Sequence, residues 1–422
     1  MAIPGIRRLT RALATRGDRL YRKSSQVASK SSLVVRKALY GRRYRNRFLI
    51  LDDLFPVLLS PFRIAEYNAY LNRYPSAEAH STGTAFPYLR ETRSFAEVRA
   101  DYESLYPAFK GRVHSFDPGM LPLARVTYTI FIHNAFNFLP FVESCGAPLV
   151  FTLYPGGGFQ LDDPACDARL RRVFESKSFR EVIVTMTITR DYLLSRKLCP
   201  PDRMHFLYGG VFSEAMLAPP AIPKRLFGVD KETIDICFVA NKYMPGGVDK
   251  GYDVFLEVAR RLAARRKEVR FHVVGPFDEG DGDVTTIRNR LQFHGYMLTA
   301  ALKTFYRGMD MILSPNLPFS LVPGGFDGFP TGACVEAALC GVALFCTDPL
   351  NLNIGFRDRE EIVLITRNVD DVLETVDAYC RDCAKLYQLA AKGSEAFRRA
   401  LSPEIQLTPR FAMFDQLLRS DG

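Results

Sequence analysis

Apolar residues recur along the chain in short runs. The runs alternate with longer stretches in which apolar positions fall three and four residues apart. Phe48–Leu51, Thr127–Ile132, Leu149–Leu153, Val182–Met186 and His205–Leu207 read as strands. Arg63–Leu71 and Arg169–Glu175 read as helices between them. The period is lost over residues 215–232, where Pro219, Pro220, Pro223 and Gly228 gather, and this reads as a linker. The alternation then resumes. Asp235–Ala240, Phe271–Val274, Leu291–His294, Met311–Ser314, Val342–Cys346 and Ile362–Ile365 predict strands. Tyr252–Arg266 predicts an amphipathic helix with Val254, Phe255, Val258 and Leu262 on one face. Thr299–Tyr306 and Cys334–Leu339 predict further helices, and helices fill the chain from Val369 onward. Strands separated by helices form parallel βαβ units. The expected class is therefore α/β, with two doubly wound, Rossmann-like domains at residues 47–214 and 233–400. Ligands of such sheets bind beyond the carboxyl ends of the strands, so two of them define a central cleft.

Charge adds an arm to this picture. Residues 1–47 carry 14 basic side chains and one acid, Asp18, whereas the other 375 residues carry 42 basic and 45 acidic ones. A body near neutrality excludes a general nucleic-acid binder. Within the arm, residues 1–46, Ile6, Leu9, Leu13 and Leu20 line one helical face among arginines. Two readings stand side by side: an interfacial helix drawn to anionic lipid, and a solvated tail. A transit-peptide composition ranks third. The longest uncharged stretch, Val126–Val142, is short for a bilayer and broken by His133, Asn134, Asn137 and Pro140. It reads as a buried strand followed by a loop. No secretory leader is evident. The nine cysteines are scattered, and several sit in apolar runs, which fits a reducing, cytoplasmic setting. Cys380 and Cys383 lack a second pair and read as packing residues.

The densest chemistry lies in Asp327-Gly-Phe-Pro-Thr-Gly-Ala-Cys-Val-Glu336, followed by Gly341 and an apolar strand. A Gly/Pro-rich loop feeding a helix start offers backbone N–H groups and a favourable dipole to a phosphate. A carboxylate accepts from two neighbouring sugar hydroxyls. Glu336 reads either in that role or as a carboxylate favouring its own helix start.

These residues resemble the donor domain of the retaining family-4 glycosyltransferases, which have the GT-B fold. The resemblance covers about Asp235 to Asp348. It includes Lys250-Gly251 at a helix start, Val273-Val274-Gly275 at a strand end, Phe293-His294-Gly295-Tyr296, and Met309-Asp310-Met311-Ile312-Leu313-Ser314-Pro315. It implies that Glu336 binds the ribose hydroxyls of a nucleotide and Asp327 the hydroxyls of the donor sugar. Lys250 and Lys242, the latter standing where the family has Arg, neutralise the departing diphosphate. Gly275, Gly295 and Tyr296 face the nucleotide, and Gly328, Phe329, Pro330 and Thr331 form the donor loop. No metal or other cofactor is expected beyond the nucleotide-sugar cosubstrate. The chain departs from the family in having eight residues between the two acids rather than seven, Asp rather than Glu first, and Met244–Val248 lengthening the step from Lys242 to Lys250. The fold also implies that residues 401–422 cross back to the first domain.

The first half matches the family only in layout. Tyr154 stands where many members have a His that touches the donor sugar, ahead of Gly156, Gly157 and Gly158. The glycines read as a close backbone approach to a ligand or as a plain turn. His133 ends a predicted strand and reads as an acceptor contact, a weak base, or a satisfied half-buried side chain. Arg63, with Glu66, reads as an acceptor contact or as part of a helix-end ion pair. The expected activity is transfer of a hexose from a nucleotide-diphosphate sugar, such as a UDP-sugar, to a saccharide or lipid-linked acceptor. It is expected to proceed with retention, in polysaccharide or glycolipid synthesis, at the inner face of a membrane. A nucleotide-sugar epimerase or phosphorylase on the same fold, or a non-catalytic scaffold, are the alternatives.

Overall fold

The computed structural model describes residues 48–118, 124–219 and 221–419. The basic arm, with its expected interfacial helix, lies outside them. The first domain holds strands β1 (Phe48–Asp52), β2 (Glu78–Ser81), β3 (Val113–Ser115), β4 (Val126–Ile130), β5 (Leu149–Leu153), β6 (Phe179–Val184) and β7 (Met204–Phe206). They form a parallel sheet in the order β3-β2-β1-β4-β5-β6-β7. Helices α1 (Pro61–Arg73), α2 (Phe95–Leu105), α3 (Ile132–Cys145), α4 (Pro164–Phe174), α5 (Thr187–Ser195) and the short α6 (Glu214–Leu217) connect and flank it. The order reverses between β1 and β4, so the first cleft-facing site lies beyond their carboxyl ends.

The second domain repeats the logic with β8 (Ile234–Val239), α7 (Tyr252–Arg265), β9 (Val269–Val274), β10 (Leu291–Phe293), α8 (Thr299–Gly308), β11 (Met311–Ser314), α9 (Gly332–Leu339), β12 (Ala343–Cys346) and β13 (Val363–Leu364). Its parallel sheet runs β10-β9-β8-β11-β12-β13, with the switch between β8 and β11. Helices α10 (Val369–Arg381) and α11 (Cys383–Ala400) cover one face, and α12 (Pro403–Gln406) and α13 (Thr408–Arg419) end the described chain.

Three sequence expectations change here. Val126–Val142 is strand β4 followed by helix, not by a loop. Ile132, Ala135, Phe138, Leu139 and Val142 are buried at helical spacing, and Pro140 falls on the exposed side. His133 accordingly sits in the first turn of α3 rather than at a strand end. Residues 215–232 are a strap on the second domain more than a loose tether. Lys224 Nζ donates to the Tyr306 carbonyl at 3.0 Å, and Lys231 pairs with Asp235 and Asp310 at 2.6 Å each.

The closing helix α13 packs on the first domain. Phe414 is fully buried there, edge-on to Phe48 at 4.9 Å, Tyr70 at 5.2 Å and Tyr128 at 5.4 Å. Arg410, also fully buried, lies 3.9 Å from Glu66 of α1. One apolar core cluster contains residues of both sheets, from Leu49 and Phe151 to Ile312 and Leu344. No described helix is long and apolar enough to cross a membrane.

Candidate active site

The carboxyl ends of β8, β9 and β11 and the loop before α9 bring the second-domain candidates together. Gly251 takes φ +80° between Lys250 and α7, and a Cβ there would lie 2.1 Å from the Pro315 carbonyl oxygen. Only glycine lets the α7 start approach the β11 end so closely. This closeness sets Lys250 Nζ 2.5 Å from Asp327 Oδ2, which also accepts from Asn316 Nδ2 at 3.2 Å. Lys250 is largely buried and Asp327 is half-exposed. Burial alone would lower the Lys250 pKa, but the Asp327 carboxylate raises it, so the ammonium stays charged. Lys242, after β8, is held by both oxygens of Asp281 at 2.7 and 2.8 Å and lies over the Phe277 ring. Gly275 donates its N–H to the Gly295 carbonyl at 2.9 Å, and Tyr296 donates to Asn241 Oδ1 at 2.7 Å. Gly328, Phe329, Pro330 and Thr331 line a cleft with Asn316, Asp327, Thr347 and Asp348.

Glu336 belongs to the second turn of α9, so it does not cap that helix. It is 4% exposed and its Oε1 has no hydrogen-bond partner. Burial pushes its pKa up to about 8. A buried carboxyl without a donor is costly unless something supplies one. Asn316, Asn241 and Asp281 are site neighbours that the sequence did not single out. Their signal lies in position alone, one or two residues past a strand end or opposite a lysine.

The first-domain candidates divide differently. His133 Nδ1 lies 2.6 Å from the Gly157 carbonyl and Nε2 lies 2.6 Å from Asp53 Oδ2. Both partners are acceptors, so both ring nitrogens donate and the ring is an imidazolium. Burial would lower the His133 pKa; the Asp53 charge and hydrogen bond overcome this and raise it. Burial would raise the Asp53 pKa; His133, and then Arg63, hold it well below the usual carboxylate range. With no lone pair free, His133 is not a base in this state. Gly157 is a glycine for packing. Its φ is +51°, and a Cβ would lie 2.2 Å from Phe131 Cγ, in space that the ring fills. Gly158 lies against His133, and Gly156 alone of the three has open space beside it.

The acceptor-side placement of Tyr154 and the acceptor-contact reading of Arg63 give way here, while the ion-pair reading of Arg63 holds. Tyr154 turns inward and donates to Glu66 Oε2 at 2.9 Å, in a buried cluster that Tyr70 joins through Glu66 Oε1 at 2.8 Å. Glu66 is fully buried and does not reach the cleft. Arg63 is buried too, donating to Asp52 Oδ2 at 3.0 Å and Ser60 Oγ at 2.9 Å. It organises the Asp52–Asp53 turn and holds no hand out to an acceptor. The domains meet beside the donor loop. Leu161 N–H donates to the Gly324 carbonyl at 2.9 Å, Phe159 meets Phe326 edge-on at 6.0 Å, and Gly328 lies against Met186 and Pro155.

Residues 254–407 match a family model described as glycosyl transferase-like. Most of the chain is similar in fold to solved structures at low identity. The Anabaena protein HepE, in complex with UDP and glucose, is 14% identical, with a TM-score of 0.62 over 87% of this chain and 99% of that one. A glycosyltransferase from Rickettsia africae is 11% identical, with a TM-score of 0.61 over 89% and 99%. The sucrose-phosphate synthase of Thermosynechococcus elongatus is 13% identical, with a TM-score of 0.58 over 89% and 100%. No curated protein matches in sequence. By its fold the chain is of the GT-B type, and its second domain carries the glycosyl transferase-like match.

Proposed function

We propose that the protein transfers a hexosyl group from a nucleoside-diphosphate sugar, with UDP the first candidate, to a saccharide or lipid-linked acceptor, retaining the anomeric configuration. The observation that carries this reading is the buried, unpartnered Oε1 of Glu336, on the helix that the Asp327 loop opens. Two vicinal ribose hydroxyls would supply the donors it lacks. Asp327 would take hydroxyls of the sugar. Lys250 would exchange part of its contact with Asp327 for the diphosphate, and Lys242 would add charge from the β8 end. The Thr331 end of α9 carries no side-chain cap, which leaves its first N–H groups for phosphate oxygens. HepE, bound to UDP and glucose, supports the donor class.

In the reaction the bond from the anomeric carbon to the diphosphate oxygen breaks, and its electron pair leaves with the phosphate. The acceptor oxygen bonds to the same carbon, and its proton passes to the departing phosphate oxygen. His133 favours this same-face course, because its two N–H groups are already committed to Asp53 and Gly157. The acceptor would lie over the β1 and β4 ends of the first domain. The basic arm and nine free thiols support a cytoplasmic enzyme at an anionic membrane surface, acting in polysaccharide or glycolipid synthesis.

Turnover tests the reading. The full chain is incubated with UDP-hexoses and a panel of oligosaccharide and lipid-linked acceptors. Nucleotide release and the anomeric proton coupling of the product are followed by NMR. Acceptor-dependent release with the donor's own anomer is expected. An inverted product would overturn retention, and release of no nucleotide from any donor would overturn the function.

A further inference from the structure

Away from the cleft, β2 and β3 place three metal-binding side chains on one face of the sheet edge. Side chains two apart on a strand share a face, so Glu78 and His80 project together, opposite Ala79. Ala79 belongs to the apolar core of the other face, and so does Val113 of β3. The register pairs Ala79 with Val113 and His80 with His114. His114 therefore stands beside His80, and their rings stack with centroids 4.8 Å apart. Glu78 adds a carboxylate on the same face.

We infer that Glu78, His80 and His114 form a binding site for a divalent transition metal of the zinc type, which ties the edge strand β3 to β2. One ligand atom from each of the three lies within 4.8 Å of the others, the one such group of three among the described residues. His80 Nε2 and Glu78 Oε2 are 3.4 Å apart. That separation is long for a hydrogen bond to a carboxylate. It is close to the edge of a tetrahedron whose centre lies about 2.0–2.1 Å from nitrogen and oxygen ligands. His80 is 7% exposed, so its ring is held by packing. Two imidazoles and one carboxylate are a borderline donor set that suits zinc and leaves a fourth position for water. β3 has only three residues and pairs on one side only, so a cross-strand ion would add most where the ladder is weakest.

The test uses the full-length protein freed of metal with a chelator and then titrated with Zn²⁺ alone and Co²⁺ alone. One equivalent of each is expected. Co²⁺ should show the intense visible bands of a low-coordinate nitrogen and oxygen site, and Zn²⁺ should raise the thermal midpoint. His80→Ala, His114→Ala and Glu78→Gln should each weaken binding by more than about 100-fold, a larger effect than loss of a ligand's outer partner. Their unchanged circular dichroism would show that the fold persists, and Glu78→Gln keeps the shape of the site if a histidine variant does not fold. His294→Ala, which alters the other neighbouring histidine pair (His272–His294), should bind as the wild type does. Absence of a stoichiometric equivalent would overturn the site. So would an equivalent that survives the three substitutions, or one that His294→Ala or Cys383→Ala abolishes.

Discussion

Lys250 Nζ and Asp327 Oδ2 sit 2.5 Å apart at the mouth of the second sheet, joining the start of α7 to the loop that opens α9. The pair joins residues 77 apart in sequence, for which charge neutralisation and sugar recognition are proposed. Because Asp327 is half-exposed, the pair contributes little to stability, within about 0–1 kcal/mol. Lys250→Met should therefore leave the urea midpoint almost unchanged. It should lower kcat by about 10²–10³-fold, the usual loss when one preorganised charge on a leaving group is removed. A large loss of stability with kcat intact would reverse the assignment.

Glu336 gives a pH signature. Its folded pKa, about 8, lies above the ordinary value of 4.5. The unfolded chain therefore releases this proton first as pH rises. Stability from this group is fully present below about pH 4.5 and declines until pH passes 8. Glu336→Gln cannot ionise. Its thermal midpoint should match the wild type near pH 4.5, exceed it increasingly up to pH 8, and then keep a constant lead. Donor binding should follow the opposite course. Ribose hydroxyls favour the carboxylate, so wild-type affinity should rise with pH, by at most about tenfold per unit, and level off above pH 8.

The His133–Asp53 pair has a window of its own. The raised His133 pKa adds stability that is lost as pH climbs through it, and the depressed Asp53 pKa adds stability that is lost in acid. Both contributions are present together between about pH 4 and 6.5. Asp53→Asn should lower the His133 pKa, read from its ring proton shifts. Gly157→Ala should destabilise by about 1–3 kcal/mol, because the new methyl meets the Phe131 ring at a positive φ.

The fully buried Arg410 makes a further prediction. It faces Glu66 from α13, and two of its nitrogens have no hydrogen-bond partner. Arg410→Met leaves Glu66 buried without a counter-charge. It should cost about 3–5 kcal/mol in urea unfolding. Arg73→Ala, whose partner Asp415 is on the same helix but whose own side chain is half-exposed, should cost under about 1 kcal/mol.

Much of this architecture was legible in the sequence because buried parallel strands read as apolar runs. β1, β5, β11 and β12 show it most plainly. Strand β2 and the edge strand β3 were not legible, since Glu78-Ala-His-Ser and Val113-His-Ser are short and mostly polar. Pro140 hid α3 although the apolar spacing runs through it. Among the site residues, those in the Asp327–Glu336 stretch were visible because local sequence sets both loop and helix. The direction of Tyr154 was not legible, because it is fixed by Glu66, 88 residues away, and by the buried cluster around it. For Arg63 the sequence left an acceptor contact and an ion pair open, and the Asp52 carboxylate at the neighbouring strand end decides for the ion pair.

The most direct measurement is a thermal-shift titration of the full chain with UDP-sugars, GDP-sugars and CMP-sialate, repeated on Glu336→Ala. One nucleoside-diphosphate class, UDP first, should raise the wild-type midpoint at saturation and leave the variant unmoved. An equal rise in both proteins, or no rise with any nucleotide sugar, would contradict Glu336 as the anchor of a donor site.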